Sequence, residues 1–273
     1  THRGVEEVVT GPATDQTTVW KPRPTDPELE AAMLKRLMVF LGVEQQKAQA
    51  MLARQAPREV RAQLVADESE AMLIVMEDFS RAWREKQLEY SFRRGLMQNY
   101  VDFAVCTEQA LDYASSLYRV ALTDQHRSEL LESYQALPAY DDVREALPRL
   151  ESAGYRMYAF SNGGADAVEA LLTTAGIRNF FRDVVSCEDL KSFKPNPAVY
   201  AHFLRKAGAT GAEAWLISGN PFDVIGAISA GMHGAWVKRS PEAIFDPWDI
   251  EPTLTVRRLS ELADAIGEQV SGG

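Results

Sequence analysis

The sequence predicts an α/β fold, a doubly wound parallel sheet joined to an α-helical subdomain, on three observations. From residue 139 onward, short apolar runs alternate with amphipathic segments of about ten residues. Glycines stand where two of those segments should stop, at Gly176 and Gly208. Residues 26–136 differ, with helical periodicity almost throughout and no strand-like alternation.

The elements follow in order. The first twenty-five residues are rich in turn formers and hold at most one short strand, near Val5–Val9. In the helical region Trp83, Leu88, Phe92, Leu96, Tyr100 and Phe103 recur at steps of three to five, an apolar stripe on one or two helices. Residues 141–153 read as an amphipathic helix, 156–160 as a strand, and 165–175 as a helix. Strands at 181–186, 214–217 and 233–237 alternate with helices at 197–207 and 224–231, the pattern of parallel βαβ units with right-handed crossovers. Three regions result: an atypical N-terminal segment, 1–25, with one core strand at most; a helical region, 26–136; and a Rossmann-like core, 137–273.

Composition narrows the function. At 46% hydrophobic and 25% charged, the chain reads as an ordinary globular protein. A formal net charge of -10 opposes phosphate backbones and anionic lipid, so neither nucleic acid nor membrane is expected as a partner. Cys106 and Cys187 stand in no CxxC or Cys/His spacing, and His2, His126, His202 and His233 are scattered, which gives neither a disulfide framework nor a metal set. Without a membrane-length apolar run or a basic and apolar leader, the cytoplasm is the expected location.

Three polar clusters sit just beyond separate strands, where an open α/β sheet places its ligands. The first is Ser161-Asn162-Gly163-Gly164, with hydroxyl and amide groups on a tight turn; the plainer reading is a helix cap. In the second, Lys194 precedes Pro195, which biases the lysine toward extended backbone, although a Lys-Pro pair in a loop is commonly mere surface. The third runs Ser218-Gly219-Asn220-Pro221-Phe222-Asp223.

In this order and spacing the clusters closely resemble the haloacid dehalogenase (HAD) superfamily, and within it the (S)-2-haloacid dehalogenases. The resemblance extends from about Phe79 to Ala265, and the block from Trp83-Arg84 through Tyr100-Val101-Asp102-Phe103 looks like the helical cap of those enzymes. It implies a HAD-like sheet core with an α-helical cap subdomain, no cofactor, a small carboxylate as substrate or ligand, and a homodimer. In that family an Asp carboxylate displaces halide from the carbon that bears it, with inversion, and water hydrolyses the resulting ester. Carried over, Ser161 and Asn162 would hold the substrate carboxylate, and Lys194 would keep the nucleophile ionised. Arg84 would meet the halide with Asn220 and the apolar Leu88, Phe103 and Phe222. Ser218 and Asp223 would orient Lys194 and the hydrolytic water, with Tyr200 supplying a nearby hydroxyl. Mg²⁺ is not expected, because a hard dication selects oxygen anions, and this site pairs one carboxylate with a lysine and the neutral amide Asn220.

The family's first motif, an apolar strand ending in Asp, has no clear counterpart. Val5–Val9 ends in Thr10-Gly11-Pro12; Asp15 follows no apolar run and reads as a turn residue. Asp78 ends an apolar run but stands six residues before Arg84, and with Glu77 it reads as an exposed position on a helix. Three accounts stay open: a dehalogenase-like hydrolase with its nucleophile at another position, different chemistry in the same pocket, or a binding protein without turnover. The acidic run Asp141-Asp142 is read as stabilising a helix N-terminus rather than binding diphosphate.

Overall fold

The computed structural model describes residues 5–10, 17–22, 68–134 and 139–271. Residues 5–22 as described, 68–89 and 107–134 belong to one compact unit, and 90–106 with 139–271 belong to another. Asp15 and the sequence from 23 to 67 lie outside the described residues.

In the first unit β1 (Val5–Thr10) pairs antiparallel with β2 (Thr17–Pro22), Val8 opposite Val19. The strand expected near Val5 is present, and its partner is this hairpin neighbour rather than a parallel core strand. Three helices follow, α1 (Glu68–Leu96), α2 (Phe103–Tyr118) and α3 (Asp124–Tyr134). Phe79 and Trp83, one turn apart on α1, are fully buried along with Leu111. The Trp83 indole N–H donates to the Thr107 carbonyl at 2.8 Å, and Gln87 reaches the Thr107 hydroxyl, so the buried polar groups are matched. The apolar stripe is not one continuous helix: α1 closes with Asn99 N–H on the Arg94 carbonyl, Gln98 takes φ 55°, and Tyr100 falls in the turn, stacked on Phe193.

The second unit continues with α4 (Val143–Ser152), β3 (Met157–Ser161), α5 (Ala165–Thr174), β4 (Phe181–Ser186) and α6 (Pro197–Ala207). It ends with β5 (Trp215–Ser218), α7 (Pro221–Ser229), β6 (His233–Val237), β7 (Leu254–Val256) and α8 (Leu262–Ser271). Every strand pairing in this unit is parallel, and among the described residues the strands form two groups, β3-β4 and β5-β6-β7. The strands expected from sequence appear within a residue of their places, whereas β7 and α8 were not anticipated. α7 begins at Pro221, three residues before the expected start, because a proline fits the first helical position, where no N–H partner is needed. That places Asp223 inside the first turn of a helix.

Strand alternation sends side chains to two separate cores. Leu216 of β5 joins Val199, Tyr200 and Phe203 of α6 in one cluster, with Tyr158 and Phe160 of β3 packed against it. Trp215, Ile217 and Met157 turn the other way, onto Leu150 of α4 and Leu262 and Ile266 of α8. Between β3 and β5 lies a cavity of about 650 Å³.

Asp142 stands at the start of α4, where the acidic run is expected to stabilise the helix N-terminus, and it makes long-range contacts as well. Its carboxylate makes no capping bond to α4. It is 3% exposed and accepts from the Arg239 guanidinium at 3.0 and 3.1 Å and from the Leu259 backbone N–H at 2.6 Å. The acid at the start of α4 thus also joins a long-range ion pair.

Candidate active site

Lys194 is the hub of a hydrogen-bonded group at the C-terminal tips of β3 and β5. The loop that carries it is pinned at its far end, where Asn196 caps α6 by accepting from the Ala198 N–H at 2.9 Å and donates to Ser192 at 3.0 Å. Lys194 is 8% exposed; its ammonium donates to Asp223 Oδ2 at 3.0 Å and to the Phe160 carbonyl at 3.1 Å, 4.8 Å from the Phe160 ring centroid. Its backbone N–H donates to Asn162 Oδ1 at 2.8 Å, which ties the lysine to the tip of β3. An ammonium this far from water needs a partner of opposite charge, and Asp223, 4% exposed, supplies it.

Asp223 is engaged at both oxygens. Oδ2 also accepts from Ser218 Oγ at 3.2 Å, and Ser218 in turn accepts from the Asn220 N–H at 3.0 Å. The Tyr200 hydroxyl lies 3.4 Å from Asp223 Oδ1 and 3.4 Å from its carbonyl oxygen. Burial, and then the Asp223 carboxylate, raise the Tyr200 hydroxyl far above the usual phenol range, so it stays a neutral donor. Asn220 Oδ1 is buried and has no hydrogen-bond partner among the described residues. On the β3 side Ser161 Oγ accepts from the Gly163 N–H at 3.0 Å, and Ser186 Oγ donates to the Gly163 carbonyl at 2.8 Å. The tips therefore present a buried cation, a carboxylate and several neutral polar groups, a set suited to an anionic ligand.

Comparison with known proteins decides the family. Residues 73–237 match the family described as haloacid dehalogenase-like hydrolase. The (S)-2-haloacid dehalogenase of Pseudomonas fluorescens is 34% identical over 188 residues, which is 69% of this chain and 82% of that protein. The chain belongs to the haloacid dehalogenase-like hydrolases. Solved structures agree: a dehalogenase in an intermediate complex superposes with TM-score 0.66 at 32% identity, covering 68% of this chain and 82% of the other. The L-2-haloacid dehalogenase of Xanthobacter autotrophicus with chloropropionic acid covalently bound gives TM-score 0.66 at 28% identity, covering 82% of this chain and 92% of that one. Within the haloacid dehalogenase-like hydrolases this chain is thus of the dehalogenase type, an α/β fold with a helical cap.

Of the residues singled out from sequence in this dehalogenase-type chain, the structure brings together Lys194, Asp223, Ser218, Asn220, Asn162 and Tyr200. Ser161 is the last residue of β3, directly before Asn162, with its hydroxyl turned to its own loop. Phe222 packs edge-on against Phe92 at 5.0 Å, and Phe103 lies 6.1 Å from Phe193. Arg84 and Leu88 are on the α1 stretch of the helical unit; Leu88 is buried, and the Arg84 Nε is buried with no hydrogen-bond partner among the described residues. Asp78 is half-buried rather than exposed and ion-pairs with Arg81 one turn on. Cys187, expected to be semi-buried, is fully buried, and burial pushes its thiol up to about 12 against the lowering influence of nearby Lys194.

Two contributors escaped the sequence reading. The Phe160 carbonyl is a backbone acceptor that no side-chain pattern reveals. Gly226, in the middle of α7, leaves room for Tyr200: a Cβ there would meet the tyrosine hydroxyl at 2.2 Å. A glycine within an apolar helical run was the available signal.

Proposed function

We propose that this chain is a metal-independent hydrolase that displaces halide from small 2-substituted carboxylates. The observation that supports it best is the Lys194 ammonium, buried and held between Asp223 and the Phe160 carbonyl at the strand tips, in a chain whose relatives are (S)-2-haloacid dehalogenases. One relative has been captured with chloropropionic acid covalently bound.

The reaction runs in two displacements. A carboxylate oxygen bonds to C2 of the substrate as the carbon–halogen bond breaks, its electron pair leaving with the halide. Water then adds to the ester carbonyl carbon, releasing the 2-hydroxy acid, restoring the carboxylate and giving one proton to solvent. Asp223, with both oxygens occupied, suits the holding of Lys194 and, with Ser218, of the attacking water. Asn162 and Ser161 suit the substrate carboxylate; Arg84, Asn220, Leu88, Phe103 and Phe222 suit the halide and its surroundings. One carboxylate beside an ammonium and a neutral amide makes a poor cage for a hard dication.

The same full engagement of Asp223 favours a second reading, capture of a small carboxylate without turnover. One experiment separates the two. Incubation with racemic 2-chloropropionate should release chloride, with at least about a 10³-fold loss in Lys194→Met. Single turnover in ¹⁸O-water followed by peptide mapping then locates the attacking carboxylate by its label. A rise in melting temperature with no chloride released establishes binding alone, and neither response refutes both.

A further inference from the structure

We infer that Ser186, the last residue of β4, is the positioning residue that sets the turn 161–164 to receive its carboxylate ligand. The inference rests on the proposed role of that turn in holding a small carboxylate, and it adds a residue too buried to touch the ligand itself.

Strand register gives Ser186 its place. β3 and β4 run parallel with Ser161 opposite Ser186, so the two serines end neighbouring strands side by side. Ser186 is 2% exposed, and a hydroxyl so deeply placed has to be bonded within the protein. It has one hydrogen to give and two lone pairs with which to accept. The hydrogen goes to the Gly163 carbonyl at 2.8 Å, and the Glu188 N–H donates to the oxygen at 3.1 Å.

The turn depends on that bond for the orientation of its backbone. Residues 163 and 164 are both glycine, the residue with the widest choice of φ and ψ, so the peptide unit between them can rotate at little steric cost. Packing does not wedge it: a Cβ at Gly163 would meet Ser161 Oγ at 3.4 Å and Val168 Cγ2 at 3.7 Å, which are ordinary contacts. Of the other bonds here, Gly163 N–H to Ser161 Oγ lies within the turn and moves with it, and Lys194 N–H to Asn162 Oδ1 holds a side chain. Among the described residues, Ser186 is the side chain that ties the backbone of this turn to another strand.

Orientation decides what the ligand meets. The 163–164 peptide is trans, so with its carbonyl drawn to β4 its N–H points the opposite way. Rotated over, the same unit would set a carbonyl oxygen beside the ligand carboxylate, and two acceptors without a hydrogen between them repel. Asn162 Oδ1 is taken by the Lys194 N–H, which leaves the amide nitrogen as the donor end of that side chain. Ser186 also roots the segment that carries Lys194. The Glu188 N–H it accepts lies in the short 3₁₀ turn Cys187–Leu190, and the chain returns from there to close Lys194 on Asn162. One hydroxyl thus sets both the donor face of the turn and the base of the lysine loop.

The test compares the full-length wild type with Ser186→Ala, Ser186→Cys and Ser186→Thr. Ser133→Ala is the control, since it removes a buried hydroxyl bonded to the Leu130 carbonyl in the helical unit. Two readouts are taken: the rise in melting temperature with propionate, which has the carboxylate and no leaving group, and kcat and KM for 2-chloropropionate. Ser186→Ala should weaken propionate binding and raise KM roughly tenfold while kcat changes less than about threefold, the mark of lost ground-state binding. Ser186→Thr should restore both, and Ser133→Ala should leave both unchanged. Ser186→Cys, a weak donor of similar size, should fall between and stands in if the alanine variant does not fold. Absence of chloride release from wild type refutes the dehalogenase reading alone, because propionate still reports on the turn. Four results overturn the inference: a wild type that binds no propionate, a Ser186→Ala variant (or Ser186→Cys in its place) within about twofold of wild type in both readouts, a fall in kcat at unchanged KM, or a folded Ser186→Thr that restores nothing.

Discussion

Gly226→Ala tests the geometry around Asp223 most directly. Tyr200 is fully buried, its ring edge-on to Phe160 at 5.7 Å, and its hydroxyl faces Asp223. An alanine methyl at 226 would stand 2.2 Å from that hydroxyl, 2.8 Å from the ring carbon bearing it and 3.0 Å from Pro195 Cβ. Ordinary contact begins near 3.4 Å, so the tyrosine must retreat by about 1 Å. A packed ring cannot do so without moving its neighbours, and overpacking of this kind costs roughly 1–3 kcal/mol. For a chain of this size that is a fall in melting temperature of roughly 2–12 °C. Urea unfolding of wild type, Gly226→Ala, Tyr200→Phe and the double variant forms a thermodynamic cycle. Deleting the hydroxyl removes the closest clash, so the double variant should lose less than the sum of the singles, by about 1 kcal/mol. Additive singles, or a Gly226→Ala variant within about 0.5 kcal/mol of wild type, would show that the tyrosine is not held where the argument places it.

Other consequences follow from the buried pair and the buried thiol. Lys194→Met leaves the Asp223 carboxylate buried without its ammonium, at a cost of about 3–5 kcal/mol, while adding Asp223→Asn should recover most of it; denaturant midpoints at neutral pH decide, and equal midpoints for single and double variants would contradict it. Cys187 titrates near 8.5 in an unfolded chain and is pushed up to about 12 by burial in the fold. Above 8.5 the unfolded state therefore binds fewer protons, and stability falls as pH rises. The contribution is complete below about 8.5 and is lost as the pH climbs toward 12. Melting curves across that window should decline less steeply for Cys187→Ala than for wild type.

The parallel strands were legible because each carries a short set of apolar residues between turn formers. β7 was not: Leu254-Thr255-Val256 is too short to show a period. The helical stripe misled at Tyr100 because spacing alone cannot detect that Gln98 reverses the chain. In the site, Ser161, Asn162, Lys194, Ser218, Asn220 and Asp223 all stand at or beyond strand ends and could be read from position. What Lys194 touches could not, since Phe160 contributes through its backbone. The partners of Asp142 were hidden for a related reason: Arg239 and Leu259 are distant in sequence, and only the local rule for a helix start was visible.

That acid also bears on how the sequence can drift. Asp142 fastens three stretches far apart along the chain, the approach to α4, the residues just past β6 and the turn before α8. With Arg239 lying over the Tyr140 ring at 3.7 Å, the guanidinium is committed on a second side. Replacing either member alone strands a charge in a nearly dry place, so positions 142 and 239 are expected to vary as a couple, like the two halves of a clasp, while exposed positions farther along the same loop, such as Ile244 and Trp248, are left free to diverge.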